Sequence, residues 1–498
     1  MDLLQLSAEL DNFFWGPIMI VLCLGAGIWF SLAMKFPQVR LIKDMVRQLF
    51  HGESSENGVS SFQGFAMALG GRVGTGNITG VASAIYAGGP GAVFWMWAIA
   101  FLGAGSAYAE SALAQVWKDE INGEYRGGPA YYIEKGLNSR WLGAAFAILA
   151  LVSCGILLPG IQSNSFAIAA QAALGISPLV LGILYTLLTA YVIFGGGRRI
   201  ARSAEMIVPF MAIAYILLAA VILIVNFRRI PEVFGLIFSC AFNMNAVYGA
   251  IFGQAISWGV KRGIFSNEAG QGTGAQAAGA AEVSHPAKQG LVQAFSVYVD
   301  TLFVCTATAI MILSTNSYNV SNGTGGFITE FIPSIEKGNF TQTAVNTLIP
   351  GFGGGFVAVA LFFFTFTTVL AYAFYSDSNI GYLFKGNTQS NAYKISLFLS
   401  RFILCAMVFA GSLMSADVVW NIGSAGVGAM AWFNVIVILI LTKPAIATLK
   451  DYENQMKLGL DPVFIPSRSG IVKAELWDTI ATRSYQKNIE ALKKAENA

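Results

Sequence analysis

The sequence predicts an all-α polytopic membrane protein of about eleven transmembrane helices, and three observations predict it. Of 498 residues, 55% are apolar and only 11% charged, where a soluble chain carries roughly a quarter charged residues. Apolar runs long enough to cross the hydrocarbon core, which takes about 20 residues per helix, recur from end to end. Lys and Arg concentrate in alternate connecting segments, the asymmetry that fixes a chain's orientation in a bilayer.

The runs place spans at 14–34, 62–88, 91–117, 141–173, 178–196, 204–226, 236–260, 288–314, 352–376, 393–415 and 417–442. Asp2, Glu9 and Asp11 precede the first run, so the basic start of a cleavable signal is missing and the run is expected to remain as a span. With the N-terminus outside, cytoplasmic segments hold 25 of the 30 Lys and Arg, Lys261 and Arg262 among them. Outside segments hold Arg228, Arg229 and Lys337, while Arg72 and Arg401 lie in spans. The count places the C-terminus in the cytoplasm of a multi-pass cell-membrane protein.

Residues 1–442 thus form one transmembrane domain: an extra N-terminal helix (14–34), a first five-helix set (62–226) and a second (236–442). Residues 443–498 read as a solvated, partly helical cytoplasmic tail, and 315–350 as an external loop. All five cysteines fall in apolar runs, where they act as small hydrophobes, and no disulfide framework is expected.

Two segments cannot be uniform helix: Gly70 to Gly80 (GGRVGTGNITG) in the second span, and Asn267 to Gly274 (NEAGQGTG) after the seventh. Glycine at this density frees backbone N–H and C=O groups, which a membrane tolerates only where protein walls a cavity. Close helix packing accounts for many single glycines in membrane helices. It does not account for Arg72 and Asn77 in the same run, since polar groups at that depth are costly. The broken segments open corresponding positions of two sets of five spans, and five, being odd, inverts the second set. Interrupted segments at matching places in inverted halves mark the midplane site of a secondary transporter. Where the seventh span unwinds stays open: Gly249 to Gly253 keeps Lys261 and Arg262 in the cytoplasm, and Asn267 to Gly274 fits the glycines.

Arg72, Glu110, Asp300 and Arg401 are charges that fall within spans, and each must find a partner or water. Glu110 and Arg401 lie toward span ends, where a long side chain can reach the interface, so a structural role is expected. Asp300 is mid-span and divides between an ion pair, with Arg72 as candidate partner, and a coupling role.

Four motifs carry a family resemblance: GTGNITGVASAIYAGGPGAVFWMW (Gly74 to Trp97), RGGPAYYIEKGL (Arg126 to Leu137), GVKRGIFSNEAGQGTG (Gly259 to Gly274) and HPAKQGLVQAFSVYVDTLFVCTATA (His285 to Ala309). Together they resemble the alanine or glycine:cation symporters, over nearly the whole chain. One departure stands out: in FTFTTVLAYAFYSD (Phe364 to Asp377) Tyr372 occupies a place where many relatives carry tryptophan.

The resemblance implies a leucine-transporter-type 5+5 inverted repeat with one extra N-terminal span, and sodium-coupled symport of a small neutral amino acid, alanine or glycine. It implies that Gly74 to Asn77 is the unwound part of the first core helix. Amides of Thr75 and Gly76 would receive the substrate carboxylate. Carbonyls of Gly70 and Val73, with hydroxyls of Thr367 and Thr368, would hold sodium, and Asn77 would bridge ion and substrate. Hard oxygen ligands suit that cation. Gln162, Asn164 and Ser165 would reach the substrate from the fourth span, and Tyr372 would border its side chain, with room for glutamine or serine as the alternative. Proton coupling through Asp300 is the alternative to sodium.

Rival classes fare worse. The two histidines, His51 and His285, lie in expected loops without metal-ligand spacing, there is no Walker A pattern, and the GTGNITG glycines follow no strand. Catalysis, an organic cofactor and a nucleic-acid partner are not expected. A channel would repeat one filter about an axis, which two unlike broken segments do not.

Overall fold

The computed structural model describes residues 3–50, 57–333, 337–347 and 349–496; Asp2 and His51 lie outside them. Among the described residues, eight helices are long and apolar enough to cross a membrane: Leu3–Ala33, Gly91–Val116, Arg140–Leu174, Gly197–Val225, Pro286–Ser314, Gly353–Leu383, Asn391–Leu413 and Ala416–Ile440. Pro178–Ile193 is a shorter apolar helix in the place of the fifth span. Many starts are written locally, since proline fits the first helical position, where no N–H partner is lost. Pro17, Pro178 and Pro286 stand there, and Ser177 caps the second of these helices through Val180 N–H.

The second span is broken as expected. Ser60 and Gln63 form a reciprocal capping box that starts helix Ser61–Arg72. Val73 and Gly74 leave the helix, a π-helical turn covers Gly76–Gly80, and helix Val81–Gly88 completes the span. Further π-turns lie at Ser153–Leu157 and Tyr298–Cys305, inside long helices. Such turns widen a helix and recur at functional sites.

The seventh span is corrected. Helix Ile230–Ala241 stands apart, and the span runs as Phe252–Asn267, a turn, then Thr273–Ala280. Glu268, Gly270 and Gly272 all take positive φ in that turn, so the break falls at the Asn267 to Gly274 glycines. Lys261 and Arg262 therefore sit inside the first half of the span, not in a cytoplasmic segment. Lys261 pairs with Asp11 of the N-terminal helix, and Arg262 lies over the Trp420 and Trp258 rings.

The two broken spans meet at one end. Val59 N–H donates to Ala280 O and Glu282 N–H to Val59 O, at 3.1 and 2.8 Å. Gly279 packs on Gly127 so closely that a Cβ there would stand 2.6 Å from the Gly127 Cα, and Gly128 takes a φ of 134°, which together explain the double glycine of the RGGP motif.

The tail is partly helical, and one of its faces is docked rather than solvated. Its helices Thr442–Lys457 and Leu476–Ser484 dock on the end where the broken spans meet, and Gln486–Glu496 packs on the rest of the tail. Trp477 is fully buried, donates from Nε1 to Gln115 O at 2.9 Å, and takes the Lys118 ammonium over its ring. Phe464 N–H donates to Ser284 O, and Lys288 pairs with Asp461 at 2.6 Å. His285 is buried: its Nδ1 accepts from Ala287 N–H, and its Nε2 faces Asp451 at 3.2 Å. Removing a buried tryptophan side chain costs about 3–5 kcal/mol. Trp477→Ala is therefore expected to lower the melting temperature of the detergent-solubilised protein by several degrees. Lys487→Ala, on the exposed face of the last helix, is expected to leave it unchanged.

Candidate functional site

The break in the second span leaves backbone groups that no helix satisfies, and neighbouring helices serve them from two sides. On one side are carbonyls. Thr368 Oγ1 lies 2.8 Å from Gly70 O, 3.4 Å from Val73 O and 2.9 Å from Phe364 O of its own helix. One hydroxyl proton cannot serve three acceptors, so this point carries an excess of oxygen lone pairs. A small hard cation is the chemistry that answers such an excess.

On the other side are amides. Gly74 N–H donates to Asn77 Oδ1 at 2.9 Å, and Thr75 N–H to Gln162 Oε1 at 3.2 Å. Thr75 Oγ1 donates to Ser165 Oγ at 2.7 Å. A Cβ at Gly74 would meet Thr368 Oγ1 at 2.6 Å and Gln162 Oε1 at 3.0 Å, so only glycine lets both side chains approach. Gly76 packs on Ser266 of the other broken span. The short stretch from Gly70 to Asn77 thus offers acceptors on one face and donors on the other, a few ångströms apart.

Asn77 ties this stretch to Asp300. Its Nδ2 donates to Asp300 Oδ1 at 2.6 Å, while Ser266 Oγ donates to both carboxylate oxygens and Thr301 Oγ1 to Oδ2 at 2.7 Å. Asp300 is fully buried on a π-turn, and its donors come from three different spans.

Most of the residues the sequence marked are brought together: Gly70, Val73, Gly74, Thr75, Gly76, Asn77, Gln162, Ser165 and Thr368. Tyr372, one turn beyond Thr368, is buried beside Gln162. Thr367 packs beside Gly70, but its hydroxyl bonds Phe363 O and Phe364 O of its own helix. Asn164 turns away to the Gly411 and Met414 carbonyls.

The span charges need correction. Arg72 forms no ion pair with Asp300; its Nη1 donates to Gln293 Oε1 at 3.0 Å. Glu110 does not reach an interface: it is fully buried and accepts from Gly270 N–H, Gly272 N–H and Asn434 Nδ2, at 3.3, 3.0 and 2.8 Å. It therefore serves the second break as Gln162 and Asn77 serve the first. Arg401 pairs with Asp377 at 2.7 Å, a structural contact as expected. Ser266, Glu268, Gln293 and Tyr375 were not read as site residues. Glu268 lay inside a segment flagged only for its glycines, and the others carry no local signal.

A cavity of about 450 Å³ leads to the site, reaching Ser165 and Thr79 and bounded by Trp420 and by Phe327 and Asn339 of the 315–350 loop. Phe265 and Trp420 pack with ring centroids 5.2 Å apart beside it. The opposite end is closed by the Val59 to Ala281 bridge and the tail.

A family model described as the sodium:alanine symporter family matches residues 1–466. A Bacillus subtilis protein, provisionally named sodium/proton-dependent alanine carrier YrbD, is 54% identical over 96% of this chain and 99% of its own. The sodium/proton-dependent alanine carrier protein of Bacillus sp. (strain PS3) is 47% identical over 90% and 100%. Among solved structures, the substrate-bound outward-open state of a Na+-coupled sialic acid symporter superposes with a TM-score of 0.50 at 13% identity, over 94% of this chain and 98% of that one. That likeness shows a shared fold.

Overpacking a tight site costs about 1–3 kcal/mol. Gly74→Ala is therefore expected to lower the melting temperature of the detergent-solubilised protein by a few degrees. Gly25→Ala, where a Cβ meets nothing within 4 Å, is expected to leave it in place.

Proposed function

This chain belongs to the sodium:alanine symporter family, and from that premise we propose that it carries a small neutral amino acid, alanine first, into the cell together with sodium, through the site at Gly70 to Asn77. It is a secondary active transporter and not an enzyme. The observation that carries the site is the two-faced stretch itself. Carbonyls of Gly70 and Val73 converge on Thr368 Oγ1, while amides of Gly74 and Thr75 turn toward Asn77 and Gln162.

Sodium would be held by Gly70 O, Val73 O and Thr368 Oγ1. The substrate carboxylate would take the Gly74 and Thr75 amides, where Asn77 Oδ1 and Gln162 Oε1 now act as acceptors. Backbone amides at a half-helix start favour an anion, and a cation close by lowers the cost of burying it. Each ligand thus raises the other's affinity, as linkage requires. Asn77 connects the two, because its Oδ1 holds a substrate-side amide while its Nδ2 is fixed by Asp300. Tyr372 and Gln162 border the substrate side chain and set the size of the pocket.

The cavity that ends at Ser165 opens on the side of the 315–350 loop, and the tail closes the other side. With the C-terminus cytoplasmic, this is an outward-facing arrangement. Passage requires the bundle holding the two broken spans to rock until the Val59 to Ala281 end opens. The transported ions and amino acid are the cargo, and no organic cofactor enters the scheme.

The test is labelled-alanine uptake by purified protein in liposomes under an inward sodium gradient, with a potassium gradient as control. Sodium-driven uptake competed by unlabelled glycine is expected. Thr368→Val keeps the shape but removes the hydroxyl. It is expected to raise the sodium concentration for half-maximal uptake about tenfold or more, the scale of one lost polar ligand. Uptake indifferent to sodium in the wild type would remove the proposal, and an unshifted sodium dependence in Thr368→Val would move the ion elsewhere.

A further inference from the structure

Three carboxylates lie buried around the two breaks, and one guanidinium faces all of them. Glu110, Glu268 and Asp300 are each no more than 2% exposed, as is Arg72, and the Arg72 charge acts on each of the three. None of the three is within ion-pair distance of Arg72, whose contacts are to Gln293. Three negative charges against one positive cannot stand in a low-dielectric interior, because burying an uncompensated charge costs several kcal/mol even after relaxation. Sodium beside Thr368 offsets one. A second remains, and hydrogen bonds decide which carboxylate holds it as a proton.

Asp300 accepts from Asn77, Ser266 and Thr301, and Glu110 from two backbone N–H groups and Asn434. Donors on this scale favour the charged form. Glu268 differs: its Oε2 is buried with no hydrogen-bond donor. The Tyr375 hydroxyl beside it is also without a partner, as are Nε and Nη2 of Arg72. A Cβ at Gly71 would stand 2.6 Å from the Tyr375 hydroxyl and 3.3 Å from Glu268 Oε2, so the two atoms flank one point. Arg72 Nη2 rests against Gly274, where a Cβ would meet it at 2.5 Å.

We infer that Glu268, at the break of the seventh span, is the proton-binding carboxyl of the transport cycle, protonated while the tail-bearing side is closed and released when that side opens. This rests on the transport reading above and deepens it. The groups facing Glu268 are Arg72 from the second span, Glu110 from the third, Cys154 from the fourth, Asp300 from the eighth, and Tyr372 and Tyr375 from the ninth. The Thr273 hydroxyl on the next helix is a side-chain hydrogen-bond partner of Glu268, a single neutral donor where Asp300 and Glu110 each have three. Sealed from water, the carboxyl keeps its proton, which Tyr375 can accept as a hydrogen bond. When the end near Val59 and Ala281 opens, the O–H bond breaks, the proton passes to water, and the carboxylate left behind pairs with the free nitrogens of Arg72. That pair holds the emptied carrier until a new proton arrives.

The test measures alanine uptake and proton movement together, in liposomes carrying an internal pH-sensitive dye, across external and internal pH. Wild type is expected to move protons in fixed ratio to alanine and to show a pH-dependent rate. Glu268→Gln, a permanently neutral analogue, is expected to move alanine more slowly with the proton ratio falling toward zero and the pH profile flattened. An unchanged proton ratio in Glu268→Gln overturns the inference, as does wild type that accumulates alanine under a sodium gradient without moving protons. If Glu268→Gln does not fold, Glu268→Asp retains a titrating group at a retracted position. A displaced pH midpoint then supports the inference and an unmoved one overturns it. Wild type with no sodium-driven alanine uptake would overturn the transport reading itself, a different result from each of these.

Discussion

Every backbone group freed inside a membrane must be answered by protein, because hydrocarbon offers neither donor nor acceptor. This constraint organises the molecule. Breaking the second span at Val73 and Gly74 releases carbonyls that Thr368 gathers and amides that Gln162 and Asn77 occupy. Breaking the seventh at Glu268 to Gly272 releases amides that Glu110 occupies, with Asn434 bonding both that carboxylate and Gly270 O. The helices that supply these side chains are therefore fixed in register against the breaks. The close glycine contacts at Gly74, Gly127 and Gly279 exist so that those side chains and backbones can approach.

The same constraint explains why so much charge is buried here. A broken helix ends in partial charges, and full charges of the right sign lower the cost of leaving them inside. Glu110 meets the amides of the second break, and Asp300 holds Asn77 in the orientation that presents Oδ1 to Gly74. These charges are satisfied to different degrees. Asp300 and Glu110 are saturated with donors, while Arg72 and Glu268 keep free atoms. Saturated groups behave as scaffold, and unsaturated ones retain something to exchange.

The tail adds a mechanical element. Its contacts run from Phe464 to Ser284, from Lys288 to Asp461 and from Trp477 to Gln115. They cross the end at which the broken spans are bridged. The match to the family model stops at residue 466, and helix Leu476–Ser484, which follows it, buries Trp477 against the transmembrane part. Opening this end must part or carry along those contacts.

By itself the sequence determined the class and the first break. Apolar run length marked most of the spans, though not the bounds of the seventh, and the glycines with Arg72 and Asn77 marked Gly70 to Gly80, because both signals are local and costly to place anywhere else in a bilayer. The likeness of the motifs supplied Thr368, Gln162 and the two-faced stretch. Tertiary structure decided the rest. Lys261 and Arg262 look cytoplasmic by counting, but Asp11, 250 residues away in sequence, pairs with Lys261 and draws the segment inward. Glu110 looked able to reach an interface, yet it answers amides that exist only because another span breaks beside it. Arg72 and Asp300 carry opposite charges but bond different neutral partners, Gln293 and Asn77. The tail's polar surface concealed one buried face. In each case the deciding partner lies far along the chain, where neither hydropathy nor local spacing registers it, and only packing shows which groups meet.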